Sequence, residues 1–386
     1  MKPDLKNYLF IIAIIFSFAA SAQQTMQFSL QSAIDYALNN NTQIRNANLS
    51  ILESTYKYRE TIASGLPQVD VKADYQNFFN SSASIGQMEF VFNPTSNANL
   101  QVGQLIFNGN YIIGIQMAAL YREMTELNAK KTEADVKTQV RNVYSMVLLT
   151  QETKKIIESN LINLKEVTSK TRTLVDVGIL EETDYDQITV QIGMLENTLK
   201  TVERQNELAL NLFRLQLGID SKQEIQLTEN LNDLLIKAAL EGSMNESFSI
   251  EKTIDYQLLE IQKNLSKKSV TMEKMNFLPN AVAFYSYTEK IKKAELDFAP
   301  KHVIGVNLTF PIFSGGSRYY KHQQAKVNYL TTQNNVNFFT EQIIMQEKQL
   351  RYNLKNSYEQ FELQKKNIEV SKRVYNNIYL KYQQGM

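Results

Sequence analysis

From Val69 to Tyr75 the chain alternates strictly: Val69, Val71, Ala73 and Tyr75 are interleaved with Asp70, Lys72 and Asp74. Period two puts one parity on each face of a strand, so this stretch predicts a sheet with one apolar and one wet face. Ala98, Leu100 and Val102 against Asn99, Gln101 and Gly103 repeat the pattern, as do Ile304, Val306, Leu308 and Phe310 against Val303, Gly305, Asn307 and Thr309. A fourth strand is expected over Ala281–Tyr287; it is apolar on both parities, which leaves its orientation open. Each stretch is about ten residues, the length a tilted strand needs to cross a bilayer. Phe78, Phe79, Phe90, Phe92, Tyr285, Tyr287 and Phe310 lie at or near the strand ends. Membrane barrels carry such girdles, and the edge of a soluble sandwich could carry them too.

Elsewhere the period changes. From Gly109 to Val177 there is no proline, and Gly114 is the only interior glycine. Val136, Val140, Val143, Val147, Thr150, Lys154, Ile157, Leu161 and Leu164 follow 4-3 spacing, a heptad seam with two polar interruptions. A second seam runs Ile188, Ile192, Leu195, Leu199, Val202, Asn206, Ala209, Phe213, and Gly218 ends it. At 1.5 Å per residue the first helix is roughly 100 Å long, too long for a compact domain. Two antiparallel helices joined at Gly178 form a coiled-coil hairpin.

The pattern occurs twice. "SGLPQVDVKADY" from Ser64 resembles "NFLPNAVAFYSY" from Asn276, and "IFNG" at Ile106 answers "IFSG" at Ile312. "VKTQVRNVYSMVLL" (Val136–Leu149) answers "LRYNLKNSYEQFEL" (Leu350–Leu363), with Tyr144 opposite Tyr358. Tyr144 to Gly178 is seven residues, one heptad, longer than Tyr358 to Gly385, so the seam keeps its phase. In both halves the order is helix, Leu-Pro, two strands, Phe-x-Gly, long helix, Gly. Pro67 and Pro279 stop a helix before a strand. Gly109, Gly315 and Gly316 give the backbone freedom to turn from strand to helix. These five are the expected strand-to-helix junctions. The domain plan is residues 1–22, 23–218 as the first repeat, 219–250 as a linker with a short strand over Ile225–Leu227, and 251–386 as the second repeat.

Composition narrows the function. Lys2 and Lys6, an apolar run from Tyr8 to Phe18, and Ala20-Ser21-Ala22 form a secretory signal cleaved after Ala22, so residues 1–22 are a targeting segment. The 386 residues hold no cysteine and carry a net charge of +1. That excludes disulfides and thiolate chemistry, and argues against a nucleic-acid partner. His302 and His322 are the only histidines and form no metal-binding spacing; no phosphate loop or catalytic constellation is present, so neither an enzyme nor a cofactor is expected.

Four strands cannot close a membrane barrel, and open edges in lipid cost several kcal/mol per unpaired backbone group. The smallest membrane barrels have eight strands. A chain that places four in a membrane must therefore oligomerise, and three copies supply twelve. The charges along the long helices, among them Lys130, Lys131, Arg141 and Lys154, keep those helices in water. At the hairpin tip, Gly178 reverses the chain and leaves Ile179 and Leu180 exposed, an apolar surface suited to a protein contact.

The chain resembles the TolC family of outer-membrane efflux proteins over Phe28–Gly385. The resemblance rests on "FSLQSAIDYALNNNTQIR", Leu66-Pro67, "LIFNG", "PIFSGG" and the tip "VGILEETD" from Val177 to Asp184. It implies a mainly α fold with a small β part: long antiparallel coiled-coil hairpins, four transmembrane strands per protomer, and two structural repeats in a trimeric α/β-barrel. It also implies a homotrimer in outer-membrane lipid with its tunnel in the periplasm, docked to a periplasmic adaptor and through it to an inner-membrane pump. Thr183 and Asp184 match family positions that bond to a neighbouring hairpin and hold the aperture shut; a simple capped turn that starts the next helix is the plainer reading of the same residues. The family continues past its second tip with a returning helix that carries the acidic ring of the periplasmic opening. The counterpart of Ile179–Gly218 does not follow Gly385 here, so the second repeat is expected to be truncated at its tip. A soluble periplasmic coiled-coil scaffold is the alternative; it accounts for the helices and leaves the strands and duplicated junctions unexplained.

Overall fold

The computed structural model describes residues 25–79, 81–86, 88–234, 248–293 and 297–383. The expected signal segment, Gly385 and part of the linker lie outside the described residues. The chain is mainly helical with a small β part, and divides into two compact units that cut across the sequence halves: Met1–Leu49 with Ala129–Ser243, and Ser50–Asn128 with Met244–Met386.

The first unit contains β1 (Met26–Phe28), α1 (Leu30–Asn40) and the start of α2 (Thr42–Ala63). It also holds most of α3 (Gly109–Asp176), α4 (Glu182–Leu217) and β6 (Ile225–Leu227). α1 starts at a reciprocal cap: Ser29 Oγ accepts from Ser32 N at 3.2 Å and Ser32 Oγ accepts from Ser29 N at 2.9 Å. β1, too short to be read from the sequence, pairs in parallel with β6, Met26 opposite Ile225 and Phe28 opposite Leu227. α3 and α4 are antiparallel, and their seams meet along most of the expected positions. The exception is Tyr144, which is fully buried where the 4-3 spacing pointed to Val143, itself only partly buried. Val136, Val140, Tyr144, Val147, Phe213 and Leu217 are buried with Phe28, Ile34 and Ala37. Farther along, Ile157, Leu161 and Val202 form a second cluster. The polar interruptions face each other: Thr150 Oγ1 donates to Asn206 Oδ1 at 3.0 Å, and Lys154 pairs with Glu203 at 3.0 Å. Polar layers of this kind fix the register of a coiled coil at some cost in stability.

Tyr144 ties this core to the linker. Its hydroxyl lies 3.2 Å from the Phe28 carbonyl and 3.1 Å from Glu229 Oε2, which also accepts from Leu30 N at 2.7 Å. Burial, and then the Glu229 carboxylate, hold the phenol well above its usual range, so it stays a donor at any physiological pH.

The second unit is built on an antiparallel sheet in the order β2 (Gln68–Gln76), β5 (Thr95–Phe107), β7 (Asn280–Lys292), β8 (His302–Thr309). Its helices are the rest of α2, the start of α3, α5 (Ile254–Met275) and α6 (Ser317–Gln383). A short hairpin, β3 (Ser82–Ile85) with β4 (Met88–Val91), interrupts the β2–β5 connection and was not among the expected elements.

Register settles the orientation that the sequence left open for β7. Val71 lies opposite Leu100, Leu100 opposite Tyr287, and Tyr287 opposite His302. One residue along, Asp70 lies opposite Gln101, Gln101 opposite Ser286, and Ser286 opposite Val303. Tyr285 and Tyr287 therefore share the face of Val69, Val71, Leu100, Val102, Ile304 and Val306, while Ser286 and Thr288 share that of Asp70, Lys72 and Asn99. Hydrogen bonds run along the polar face: Ser286 Oγ to Asn99 Oδ1 at 3.0 Å, and Asn97 Nδ2 to Asp74 Oδ2 at 3.1 Å.

Candidate functional site

Three features bear on function: the two-faced sheet, the strand-to-helix junctions, and the hairpin tip. The apolar sheet face is exposed along its edge strands and half-buried at the central ones. Val71, Ile304 and Val306 are 72%, 83% and 68% exposed, and every residue of β2 is exposed. Near one end of that face, Tyr285 Oη and His302 Nδ1 are 2.9 Å apart, and the Tyr287 ring centre lies 4.9 Å from the His302 ring centre. Glu289 accepts from Tyr287 Oη and from Lys301 Nζ, the latter at 2.9 Å. β2 and β8 are the edges, so among the described residues no strand lies beside their outer backbone groups.

The five expected junction residues lie at or just ahead of strand and helix starts, and Gly109 is not among the glycines with positive φ. Pro67 follows α2 and immediately precedes β2; Pro279 immediately precedes β7. Gly109 is the first residue of α3, and a Cβ there would sit 2.7 Å from the Met275 Cβ, so the strand-to-helix turn needs glycine for close approach. Gly315 and Gly316 have φ of +59° and +84° just ahead of α6, and Arg318 Nη1 holds the same turn by donating to the Pro311 carbonyl at 2.9 Å. Sequence reasoning missed an amide ladder across two of these turns. Asn108 Oδ1 accepts from Tyr111 N at 3.0 Å and caps α3, while its Nδ2 donates to Asn280 Oδ1 at 3.3 Å. Asn110 donates to Asn276 at 2.5 Å, and Asn276 donates to Glu273 at 2.9 Å. The turns at Gly109 and Pro279 share a cavity of about 160 Å³ with Thr309 and Pro311. The signal was present as Asn108-Gly109-Asn110 and as the Asn276 and Asn280 that bracket Phe277-Leu278-Pro279, but asparagine is common at turns for local reasons.

At the tip, α3 ends at Asp176 and Gly178 takes φ +77°. Ile179 N donates to the Leu174 carbonyl at 2.9 Å, and the Ile179 side chain is 69% exposed. Leu180 is less exposed, at 36%. The residue before α4 is Glu181, and Asp184 is the third residue of the helix: its Oδ2 accepts from Glu181 N at 3.2 Å. Thr183 Oγ1 donates to Glu181 Oε2 at 3.2 Å. In the single chain both residues thus serve the local turn. Arg172, which the sequence did not single out, clamps the tip. It pairs with Asp176 at 3.1 Å and Glu182 at 2.7 Å, and its guanidinium sits 5.1 Å from the Tyr185 ring centre. Its hydrogen bond to Glu182, then the Asp176 and Glu182 charges, raise its pKa further.

Comparison with known proteins places this geometry. The outer membrane efflux protein family model matches residues 33–218. That region belongs to the outer membrane efflux protein family. The efflux-family region contains Pro67, Gly109 and the whole first tip; Pro279, Gly315 and Gly316 lie beyond it. The fold extends over more of the chain. The Neisseria gonorrhoeae MtrE outer membrane channel, solved in an open state, matches with a TM-score of 0.69 and 16% identity, over 92% of this chain and 80% of that one. The Campylobacter jejuni CmeC outer membrane channel matches with a TM-score of 0.67 and 16% identity, over 84% and 69%. The Vibrio cholerae outer membrane protein VceC gives 0.61 and 13%, over 82% and 76%. No curated protein matches the sequence at a significant level. Among the described residues, no helix is long and apolar enough to cross a membrane, which says nothing of the strands. No group of three or more His, Asp or Glu side chains among them is placed to hold a metal.

Proposed function

We propose that the chain is the subunit of an outer-membrane export channel of a tripartite efflux or type I secretion system. Three copies supply twelve strands to one barrel, and their long helices continue it as a tunnel into the periplasm. The single observation behind this reading is the four-stranded sheet. Its exposed apolar face suits lipid, its polar face of Asp70, Lys72, Asn99, Gln101 and Ser286 suits a water-filled lumen, and its two open edges need partners. The two sequence repeats each contribute two strands and a long helix, and the proline and glycine junctions mark the passage from barrel to tunnel. Ile179 and Leu180 contact a periplasmic adaptor, which joins the duct to an inner-membrane pump. Asp184 and Thr183 exchange their local bonds for bonds to a neighbouring hairpin when the aperture closes. The channel is passive: the pump supplies energy, and partner binding at the tip shifts a closed–open equilibrium.

Fractionation and conductance test this. The protein is expected to pellet with outer membranes, to need detergent for extraction, and to conduct ions in a planar bilayer. Recovery in the soluble periplasmic fraction would favour the scaffold alternative. Asp184→Ala is expected to raise single-channel conductance; an unchanged value would leave Asp184 as a helix-capping residue only.

A further inference from the structure

The two edge strands carry enough information to fix how one copy joins the next. In each copy β8 lies lower than β2 along the strand direction: the register Val71–Leu100–Tyr287–His302 sets the first residue of β8 level with Val71, five positions short of the end of β2 at Gln76. A flat repeat of that sheet would leave the edges overlapping by only a few residues. A barrel removes the offset, because its strands tilt. Crossing four strands spaced about 4.8 Å apart at a tilt of about 40° requires a shift of about 16 Å, or roughly five residues, to stay in one belt. Faces restrict the shift further. A one-residue slip exchanges the two faces of a strand, so the shift must be even to keep Ile304, Val306 and Leu308 on the same side as Val69 and Val71. Four and six remain. A shift of six sets His302 past the end of β2, whereas a shift of four gives all eight residues of β8 a partner within Gln68–Gln76.

Resting on the trimeric-channel reading, we infer that β8 pairs antiparallel with β2 of a second copy in the register that sets Val306 opposite Val71 of the partner subunit. On the apolar face, Leu308 then meets Val69 of the partner subunit, Ile304 meets Ala73 of the partner subunit, and His302 meets Tyr75 of the partner subunit. The last contact extends the Tyr285–Tyr287–His302 cluster across the joint. On the polar face, Asn307 meets Asp70 of the partner subunit and Gly305 meets Lys72 of the partner subunit. Both faces run on without a break, and the outer backbone groups of both edges are paired.

The chain has no cysteine, so engineered pairs report this register cleanly. Opposed residues on antiparallel strands have Cα atoms about 4.5–5.5 Å apart, within disulfide range, while diagonal neighbours are about 7–8 Å apart. Within one copy, β2 and β8 are separated by two strands, so any bond between them joins two molecules. The full chain carrying Val71→Cys and Val306→Cys, extracted from outer membranes after mild oxidation, is expected to run as covalent dimers and trimers that reduction returns to single chains. Ala73→Cys with Val306→Cys is expected to give no cross-link. Bonding in the Ala73 pair, or in neither pair while the extracted protein has the mass of a trimer, overturns the register and leaves the channel reading intact. A monomeric mass in the outer-membrane extract overturns both.

Discussion

The sequence pattern sets Val136–Leu149 in α3 against Leu350–Leu363 in α6, and the two seams meet different surroundings. Val136, Val140, Tyr144 and Val147 are completely buried, whereas Leu350, Leu354, Tyr358 and Phe361 are 44–60% exposed. The spacing is the same and the helices are both continuous. The difference lies in cover. The first seam is met by Phe213 and Leu217 of α4 and by Phe28 of β1. Among the described residues the second has no comparable lid. A heptad pattern specifies a sticky face; what sticks to it is decided elsewhere. The sheet repeats the lesson, since its apolar face has the composition of a core and the exposure of a surface.

The largest effect should come from charging that face. In the assembled channel, Val306→Arg places a cation at mid-strand on the lipid side of β8, which costs about 2–4 kcal/mol at the bilayer midplane. With one such site in each of three copies, the variant is expected to disappear from the outer-membrane fraction. Asn307→Arg, one residue along and on the polar face, should remain there. Equal loss of both would mean that the two faces do not distinguish lipid from water. Next in size is the covered seam itself. Phe213 is fully buried against Tyr144 and Phe28, with ring centres 5.7 and 6.2 Å away. Phe213→Ala should cost about 3–5 kcal/mol in urea unfolding of the hairpin. Phe361→Ala in the dissociated chain should cost less than about 0.5 kcal/mol, as surface changes do. A loss above 1 kcal/mol at Phe361, on the same scale, would show that its face is covered even without assembly.

Much of this was legible because it is periodic. The α3 and α4 seams, their end at Gly218 and the four long strands all follow from spacing. Gly218 shows why the stop is firm: its φ is +71°, and a Cβ there would lie 2.5 Å from the Asn40 carbonyl oxygen. What escaped is long-range or very short. Thr150, Lys154 and Asn206 could be seen as interruptions, but not as partners across the hairpin. β7 is apolar on both parities at Val282 and Phe284, so only its register with β5 assigns the faces. β1 has three residues and gains its identity from β6. At the tip, Gly178 and the exposed Ile179 were readable from their types. Arg172 was not: an arginine four residues before an aspartate is ordinary on a helix, and only the turn brings Glu182 and Tyr185 to it.

The smallest effect tests how much the exposed ion pairs along the hairpin add to its covered seam. Lys165 and Glu196 bridge α3 and α4 at 2.8 Å, and both side chains are about half exposed. The hydrogen bond from Lys165, and then its charge, hold the Glu196 carboxyl below its ordinary 4.5. A depressed carboxyl pKa contributes stability that is present above 4.5 and fades as pH falls through the folded-state value, because the unfolded chain takes up the proton first. Lys165→Met removes the partner. Its thermal midpoint should fall slightly below that of the parent at pH 7, and the gap should close as the pH is lowered past 4.5. High salt at pH 7 should narrow the same gap, since a pair this exposed is screened. If the gap persists in acid, Lys165 stabilises the hairpin through the packing of its stem on the seam, and the ion pair adds nothing measurable to the cover that α4 already provides.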